Sequence, residues 1–513
     1  MGTTVTVENM APNGAESHPA SAKTDVVIVG GGPAGLTAAY ELLKRSQSHH
    51  PVVFEGAKLV GGISRTESHN GYRFDIGGHR FFTKVPEVNQ VWDEIMGPEL
   101  ITVPRSSRIF YRGRFFEYPL KLFNALSNVG VYESIRIVIS YIKWRVKPHP
   151  IEDSFEEWVI NRFGGRLYMH FFRSYTEKVW GIPGSQIRAD WAAQRIKNLS
   201  LVKAVWNAIS GANDTVSLIE EFKYPRLGPG QMWERCAEII DNQGGEVRMQ
   251  TKVVRVHREG MRVTSVDVVD AAGQVSSVDT PHVINTMPLG ELIPAFDPPP
   301  PDHVVKAAGR LRYRDFLIVT LVLAKSDPFP DNWIYIHAPT VKVGRIQNFR
   351  AWSEDMVPDP ATASIGMEYF CQEGDGLWSS SDEDLRALAT SELVTLGLAQ
   401  AHEVVDAAII RQPKAYPVYD GEYKQALDEI ADWINQLENF QTVGRNGLHR
   451  YNNQDHSMLS AIYAARNILG ENYDVWDVNV ERSYHEEFEL EKEEPKFPRI
   501  AATPERSAVS YAV

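Results

Sequence analysis

The first regular pattern in the chain begins at Thr24. The apolar run Val26 to Val29 meets a glycine-rich turn, an amphipathic stretch follows from Leu36 to Arg45, and a second apolar run occupies Val52 to Phe54. That alternation of strand, 3.6-residue period and strand predicts a βαβ unit. Residues 101–118 read as short strands with a turn at Arg112-Gly113, whereas Val131 to Arg145 and Phe155 to Lys178 carry helical periodicity with aromatic anchors. The β pattern returns at Glu246 to Met249, Lys252 to His257, Val263 to Asp267 and Val283 to Thr286, with a turn at Ala271-Ala272-Gly273. Further strands are expected at Phe316 to Ala324, Trp333 to Ile336 and Ser364 to Cys371, and helices at Asp382 to Leu396 and Ser457 to Ile468. No internal repeat is found.

These elements predict an α/β protein: a Rossmann-like domain with a helical insertion, and a second, largely antiparallel sheet domain. The expected division is a disordered leader at 1–23 and a discontinuous nucleotide-binding domain formed by 24–100, 225–300 and 440–475. A mostly helical insertion and substrate cap (101–224), a sheet-containing substrate domain (301–439) and a C-terminal arm (476–513) complete it.

Composition narrows the function classes. The 513 residues carry 66 acidic and 53 basic side chains, a formal charge of −13 that disfavours bulk nucleic-acid binding. Two cysteines, Cys236 and Cys371, allow at most one disulfide and have no neighbours at metal-ligand spacing, so no metal site is expected and a cytoplasmic setting is favoured. The longest apolar runs are about half of what a bilayer span requires, so no stable membrane span is expected. His49-His50 reads as a solvated loop. Ser457 follows His456 without a G-x-S-x-G elbow and reads as a helix N-cap rather than a nucleophile.

The chemistry concentrates in glycines. Val27-Ile28-Val29 runs into Gly30-Gly31-Gly32-Pro33-Ala34-Gly35, a GxGxxG at Gly30, Gly32 and Gly35 whose missing side chains allow a tight turn and close backbone approach to a pyrophosphate at a helix N-terminus. Glu55 ends the next strand about 20 residues on, where a carboxylate accepts ribose hydroxyls. Two more glycine pairs follow, Gly61-Gly62-Ile63-Ser64-Arg65 and Gly77-Gly78-His79, and Gly444-Arg445-Asn446-Gly447 precedes Asn453-Gln454-Asp455-His456-Ser457 near the other end. This set resembles the pattern of FAD-binding amine-oxidase-like flavoproteins, whose extended cofactor needs backbone contacts along its length.

Within that superfamily, several segments resemble UDP-galactopyranose mutases, especially their longer, eukaryote-like branch. They are Gly77-Gly78-His79 with Phe81 and Phe82, Tyr118-Pro119, Phe172-Arg173-Ser174-Tyr175 through Trp180, and Trp333-Ile334-Tyr335. Arg345, Tyr416-Pro417 and Arg450-Tyr451 complete the set. The resemblance implies FAD contacts from Gly30, Gly32, Pro33, Gly35, Glu55, Gly62, Ser64, Gly78, Val253, Arg445, Asn453, Gln454 and Ser457. It implies catalytic roles for His79, Arg173 and Arg345, and substrate contacts from Arg105, Tyr118, Lys121, Arg173, Trp333, Tyr335, Arg345, Tyr416 and Tyr451. The implied reaction is redox-neutral: reduced flavin N5 attacks the anomeric carbon of a nucleotide-diphosphate sugar, UDP leaves, a flavin iminium forms as the sugar ring opens, and reclosure through another hydroxyl gives the furanose. NADPH or another reductant would reduce the flavin; the oligomeric state, a homo-oligomer included, is left open by the sequence.

The residues make chemical sense by themselves. An acidic protein holds a diphosphate only with local cations, and arginine offers a planar fork of donors. A structural salt bridge remains the alternative for each arginine, a core position for each tyrosine, and a loop-pinning role for His79. The chain departs from the family at Leu120-Lys121, around Gly344-Arg345-Ile346-Gln347, and in the sparser glycines of Tyr224 to Gly230. The competing class is an oxidoreductase of the amine-oxidase or protoporphyrinogen-oxidase type, with a non-catalytic flavin-binding protein as a further alternative; the group Arg173, Arg345, Tyr416 and Tyr451 favours a diphosphate over an amine.

Overall fold

The structure is a computed structural model that describes residues 24–118, 128–189, 217–218, 220–479 and 487–488. The expected leader, Lys121 and most of the expected C-terminal arm lie outside the described residues. The βαβ unit forms as the pattern predicts: strand Val26–Val29, helix Pro33–Arg45 and strand Pro51–Glu55. Proline at the first helical position suits this start, since its missing N–H would have had no intrahelical partner.

Five parallel strands make the first sheet, in the order Glu246–Met249, Pro51–Glu55, Val26–Val29, His282–Asn285 and Phe440–Thr442. Every residue of Val26–Val29 is buried, as a parallel strand covered on both faces requires. Helices Pro33–Arg45, Gly230–Asn242 and Gln454–Ile468 pack on one face. The other face is covered by strands Lys252–Glu259 and Arg262–Val269 and by helices Asp302–Arg310 and Tyr423–Ile434.

The second sheet has seven strands, ordered Val404–Pro417, Tyr313–Leu323, Ala363–Cys371, Arg345–Asn348, Trp333–Ile336, Ser107–Tyr111 and Arg114–Glu117. All neighbours are antiparallel except Trp333–Ile336 with Ser107–Tyr111. Its strands therefore come from both 101–224 and 301–439. The long edge strand Val404–Pro417 is not foreseen from sequence. Pro413 and the left-handed Lys414, at φ 51°, interrupt its alternation, which an edge position tolerates. Strand Val275–Asp279 and helix Gly230–Asn242 are likewise unforeseen.

The helical stretch expected over Phe155 to Lys178 is broken. Phe155–Phe163 ends at Gly164, φ 83°, and after Gly165–Leu167 the chain makes a π-helical turn over Tyr168–Phe172 before Arg173–Trp180. Ser154 and Glu157 form a reciprocal capping box at the start. Cys236 and Cys371 are buried free thiols, and His49 and His50 lie in the helix-to-strand connection as expected.

Candidate active site

The glycine loop separates packing glycines from one of another kind. A Cβ on Gly35 would lie 1.8 Å from the Gly30 carbonyl oxygen, and one on Gly30, already at φ 99°, would lie 2.2 Å from Thr286 Oγ1. The fold itself forbids side chains there. A Cβ on Gly32 would meet nothing nearer than Gly62 Cα at 3.8 Å. Its bareness serves the open space before helix Pro33–Arg45, whose N-cap, Gly32, contributes no side-chain hydrogen bond.

Glu55 lies beside this space. Its Oε2 accepts from Gly31 N at 2.7 Å and its Oε1 from Ala57 N at 2.7 Å. The second glycine pair folds back on the first: Gly61 N donates to Gly31 O at 2.8 Å, and Ser64 is buried behind it. Val253 is buried on the strand that starts just after Thr251, whose N–H donates to Glu55 O at 2.8 Å. At the other end of the chain, a Cβ on Gly444 would lie 2.8 Å from Ala34 Cβ, so residues 444–447 press against the first turn of the glycine-loop helix. Helix Gln454–Ile468 starts nearby with Asn453 as an N-cap lacking a side-chain bond, and the buried Gln454 Oε1 has no protein partner. Open space at Gly32, an acceptor carboxylate beside it, two helix N-termini without side-chain caps and an orphaned amide oxygen together fit an extended dinucleotide. Ser457 is not the N-cap expected from sequence. The helix begins three residues earlier, and Ser457 N bonds Asn453 O at 3.2 Å within the first turn.

Beside this cleft, one face of the seven-stranded sheet carries the polar residues. Register places Tyr335, Arg345 and Glu368 side by side across three strands, and Trp333, Gln347 and Gly366 in the next row. Alternation sends Ile334, Ile336, Ile346, Ile365 and Met367 to the opposite face, into a hydrophobic core. Arg345 Nε lies 2.6 Å from Glu368 Oε2, and Gln347 Nε2 lies 2.6 Å from Glu368 Oε1, which leaves the Arg345 Nη1 corner outside the pair. Burial opposes the charge of Arg345, but Glu368 outweighs it and holds the guanidinium well above its ordinary range.

Gly77, Gly78 and His79 lie over these rows: a Cβ on Gly77 would be 3.6 Å from Arg345 Nη2, and one on Gly78 would be 2.9 Å from Gln347 Nε2. His79 Nδ1 donates to Gly77 O at 3.2 Å, so Nε2 carries the lone pair. The surrounding protein, then the charges of Arg345 and Arg445, push this imidazole down to about 3. At neutral pH it is uncharged.

Aromatic rings and arginines close the cavity. Tyr416 and Tyr451 stack with centroids 5.5 Å apart, and Arg445 lies 4.9 Å and 4.2 Å from their ring centres. Arg445 is itself held by the carbonyls of Ala415 and Asn452, both at 2.8 Å. Tyr118 packs on Tyr335 at 4.7 Å, with Arg105 5.5 Å from Tyr118 and 5.7 Å from Trp333. Burial, then Tyr451, raise the phenol of Tyr416, and the charge of Arg345 reaches it.

Arg173 does not join this group. Its Nε donates to Glu177 Oε1 at 3.0 Å and the side chain is 48% exposed, so the structure places it in a surface ion pair. A π turn precedes it, and Tyr175, two residues further along the helix, takes an inward position. It lies 5.5 Å from Tyr335 and stacks on His337 at 4.8 Å. Lys178, on the same helix, donates to the carbonyls of Ile336, Ala338 and Val343 at 2.6–3.2 Å and so ties the helix to the turn before Arg345. Sequence reasoning missed Tyr175, Gln347 and Glu368. The signal for Glu368 was available, a single carboxylate inside the apolar run Ala363–Cys371.

Comparison with known proteins bears on the family and the fold. The sequence profile of the family described as flavin containing amine oxidoreductase matches residues 33–424. A Mycobacterium tuberculosis protein carrying the name flavin-containing monoamine oxidase is 52% identical over 54 residues, a stretch that spans only 12% of that relative's length and 10% of this chain. Among solved structures, a reduced UDP-galactopyranose mutase superposes with a TM-score of 0.77 at 20% identity, covering 90% of this chain and 97% of that one. A structure titled as a protoporphyrinogen oxidase from Exiguobacterium reaches 0.66 at 16% identity, covering 86% and 98%, and putrescine oxidase bound to putrescine reaches 0.58 at 17%, covering 88% and 99%. At these identities the likeness is one of fold. Among the described residues no helix is long and apolar enough to cross a membrane.

Proposed function

The chain belongs to the flavin containing amine oxidoreductase family, and from that premise we propose that it holds FAD and interconverts the pyranose and furanose forms of UDP-galactose or a related nucleotide sugar without net redox change. FAD, when bound, supplies an isoalloxazine ring that exchanges electrons and in its reduced form offers a nucleophilic nitrogen. Gly30, Gly32, Pro33, Gly35, Glu55, Gly62, Ser64, Gly78, Val253, Arg445, Asn453, Gln454 and Ser457 are the residues assigned to hold it. NADPH or another soluble reductant would keep it reduced.

The observation that carries the reading is the polar sheet face under Gly77–His79. It sets Arg345 beside Tyr335 and near Tyr416, which stacks on Tyr451, and Arg105 and Trp333 flank it. Arg345 and Arg105 would hold a diphosphate, with Arg345 offering the donor corner that Glu368 leaves over. Tyrosine hydroxyls would bond sugar oxygens, and Trp333 with Tyr118 would cover a base. His79 would act as a neutral acceptor through Nε2, since its environment disfavours the imidazolium.

One observation favours the second reading, an oxidoreductase. Glu368 already neutralises Arg345 and Arg173 is paired with Glu177, so a diphosphate would have to rely on Arg105 and Arg445 for its remaining counter-charge. The test is anaerobic incubation of the yellow protein with UDP-galactofuranose before and after dithionite reduction, with chromatographic separation of products. Conversion to UDP-galactopyranose only after reduction supports the mutase. An FAD-loaded protein that converts nothing, yet bleaches with an amine and forms hydrogen peroxide on reoxidation, supports the second reading.

A further inference from the structure

Seven of the fourteen exposed large hydrophobic side chains among the described residues lie on one helix, Val131–Val146. Its inner side packs on Phe155–Phe163 and Gly165–Leu167, where Gly164 lets the backbones approach: a Cβ there would lie 2.8 Å from Tyr141 N. Its outer side carries Tyr132, Ile135, Ile139, Ile142 and Val146, alternately three and four residues apart and each more than half exposed. That spacing makes a single stripe along about 21 Å of helix.

The charge on this face opposes that of the whole protein. Arg136, Lys143, Arg145 and Lys147 are exposed beside the stripe, in a chain of formal charge −13. The helix has one carboxylate, Glu133, and it turns inward: Arg166 Nε and His170 Nε2 reach its Oε1 at 2.6 Å and 2.9 Å, and Arg136 lies 3.6 Å from Oε2. A second copy of this face would set cations against cations. An occupant must offer an apolar slab together with diffuse negative charge. From the continuous stripe, the flanking cations and the inward carboxylate, we infer that helix Val131–Val146 lies in the surface of an anionic lipid bilayer and attaches the protein there as a peripheral membrane protein.

The test is flotation of the full-length protein with phosphatidylcholine vesicles, with and without phosphatidylglycerol. The protein is expected to float with the anionic vesicles, to stay behind with phosphatidylcholine alone, and to be released by high salt. Ile139→Asp/Ile142→Asp and Lys143→Gln/Arg145→Gln/Lys147→Gln should each lower the bound fraction by about tenfold, with unchanged melting curves confirming the fold. The inference is overturned if the protein does not bind anionic vesicles, if both variants bind like the parent, or if the stripe variants instead abolish self-association or capture by an acidic protein while vesicle binding is absent.

Discussion

Arg345 and Glu368 face each other across two antiparallel strands, with Nε 2.6 Å from Oε2, and Glu368 is shut off from solvent altogether. The pair forms the charged centre of the cavity floor. Its partners are fixed by register, because Tyr335 stands opposite Arg345 on the next strand.

Breaking that pair from the acidic side leaves a buried guanidinium without its counter-charge. Glu368→Gln should lower unfolding free energy by about 3 kcal/mol in urea titration. Asp382→Asn, which removes the exposed partner of Arg411, should change it by less than about 0.5 kcal/mol. Equal effects would mean that Glu368 is not the structural counter-ion of Arg345.

Arg345 and Arg173 should separate in kinetics. Arg345→Lys keeps a cation beside Glu368 but loses the planar fork, and is expected to reduce nucleotide-sugar turnover by about a hundredfold. Arg173→Ala should leave turnover within about twofold, because its side chain faces Glu177 on the surface. A large loss in Arg173→Ala would contradict the placement of that arginine.

Two buried groups should tilt stability with pH in opposite directions. His79 has an ordinary value of 6.5 and a folded value of about 3. Between them the unfolded chain binds a proton that the folded chain does not, so stability should fall as pH drops through that window, and His79→Gln should flatten the slope. Asp75 is raised from 3.8 to about 7, mainly by burial, against hydrogen bonds from Tyr224 and Thr66. Its contribution is complete below 3.8 and is lost as pH rises through about 7. Asp75→Asn, which keeps an acceptor for Tyr224, should therefore gain stability relative to the parent at pH above about 7, and melting curves across pH would reveal it.

The glycine loop offers a test that parts cofactor from packing. Gly32→Ala should fold with an unchanged melting temperature in the flavin-free protein and yet retain at least about tenfold less flavin after purification. Gly35→Ala places a methyl 1.8 Å from Gly30 O and should lower stability by several kcal/mol whether or not flavin is present. Normal flavin content in Gly32→Ala would mean that the bare backbone at that position does not serve the cofactor.

The amino-acid sequence determined the local features of this protein. The glycine loop, the acidic end of the second strand, the turn at Arg112-Gly113 and the fully buried strands are each set by a few adjacent residues. Backbone conformation and side-chain period act over that range. Tertiary structure decided what these features face. Sheet register brought Tyr335, Arg345 and Glu368 together from three strands, and a one-residue slip of any one of those strands would have sent its member to the hydrophobic side. On the helix that follows the π turn over Tyr168–Phe172, Tyr175 packs against Tyr335 while Arg173 pairs with Glu177 on the surface. Edge strand Val404–Pro417, hidden in sequence by its proline and left-handed lysine, brought Tyr416 to Tyr451. Helical phase and strand register are accumulated over whole elements and fixed by long-range packing, so a motif names the residues available for chemistry, while the fold selects which of them meet.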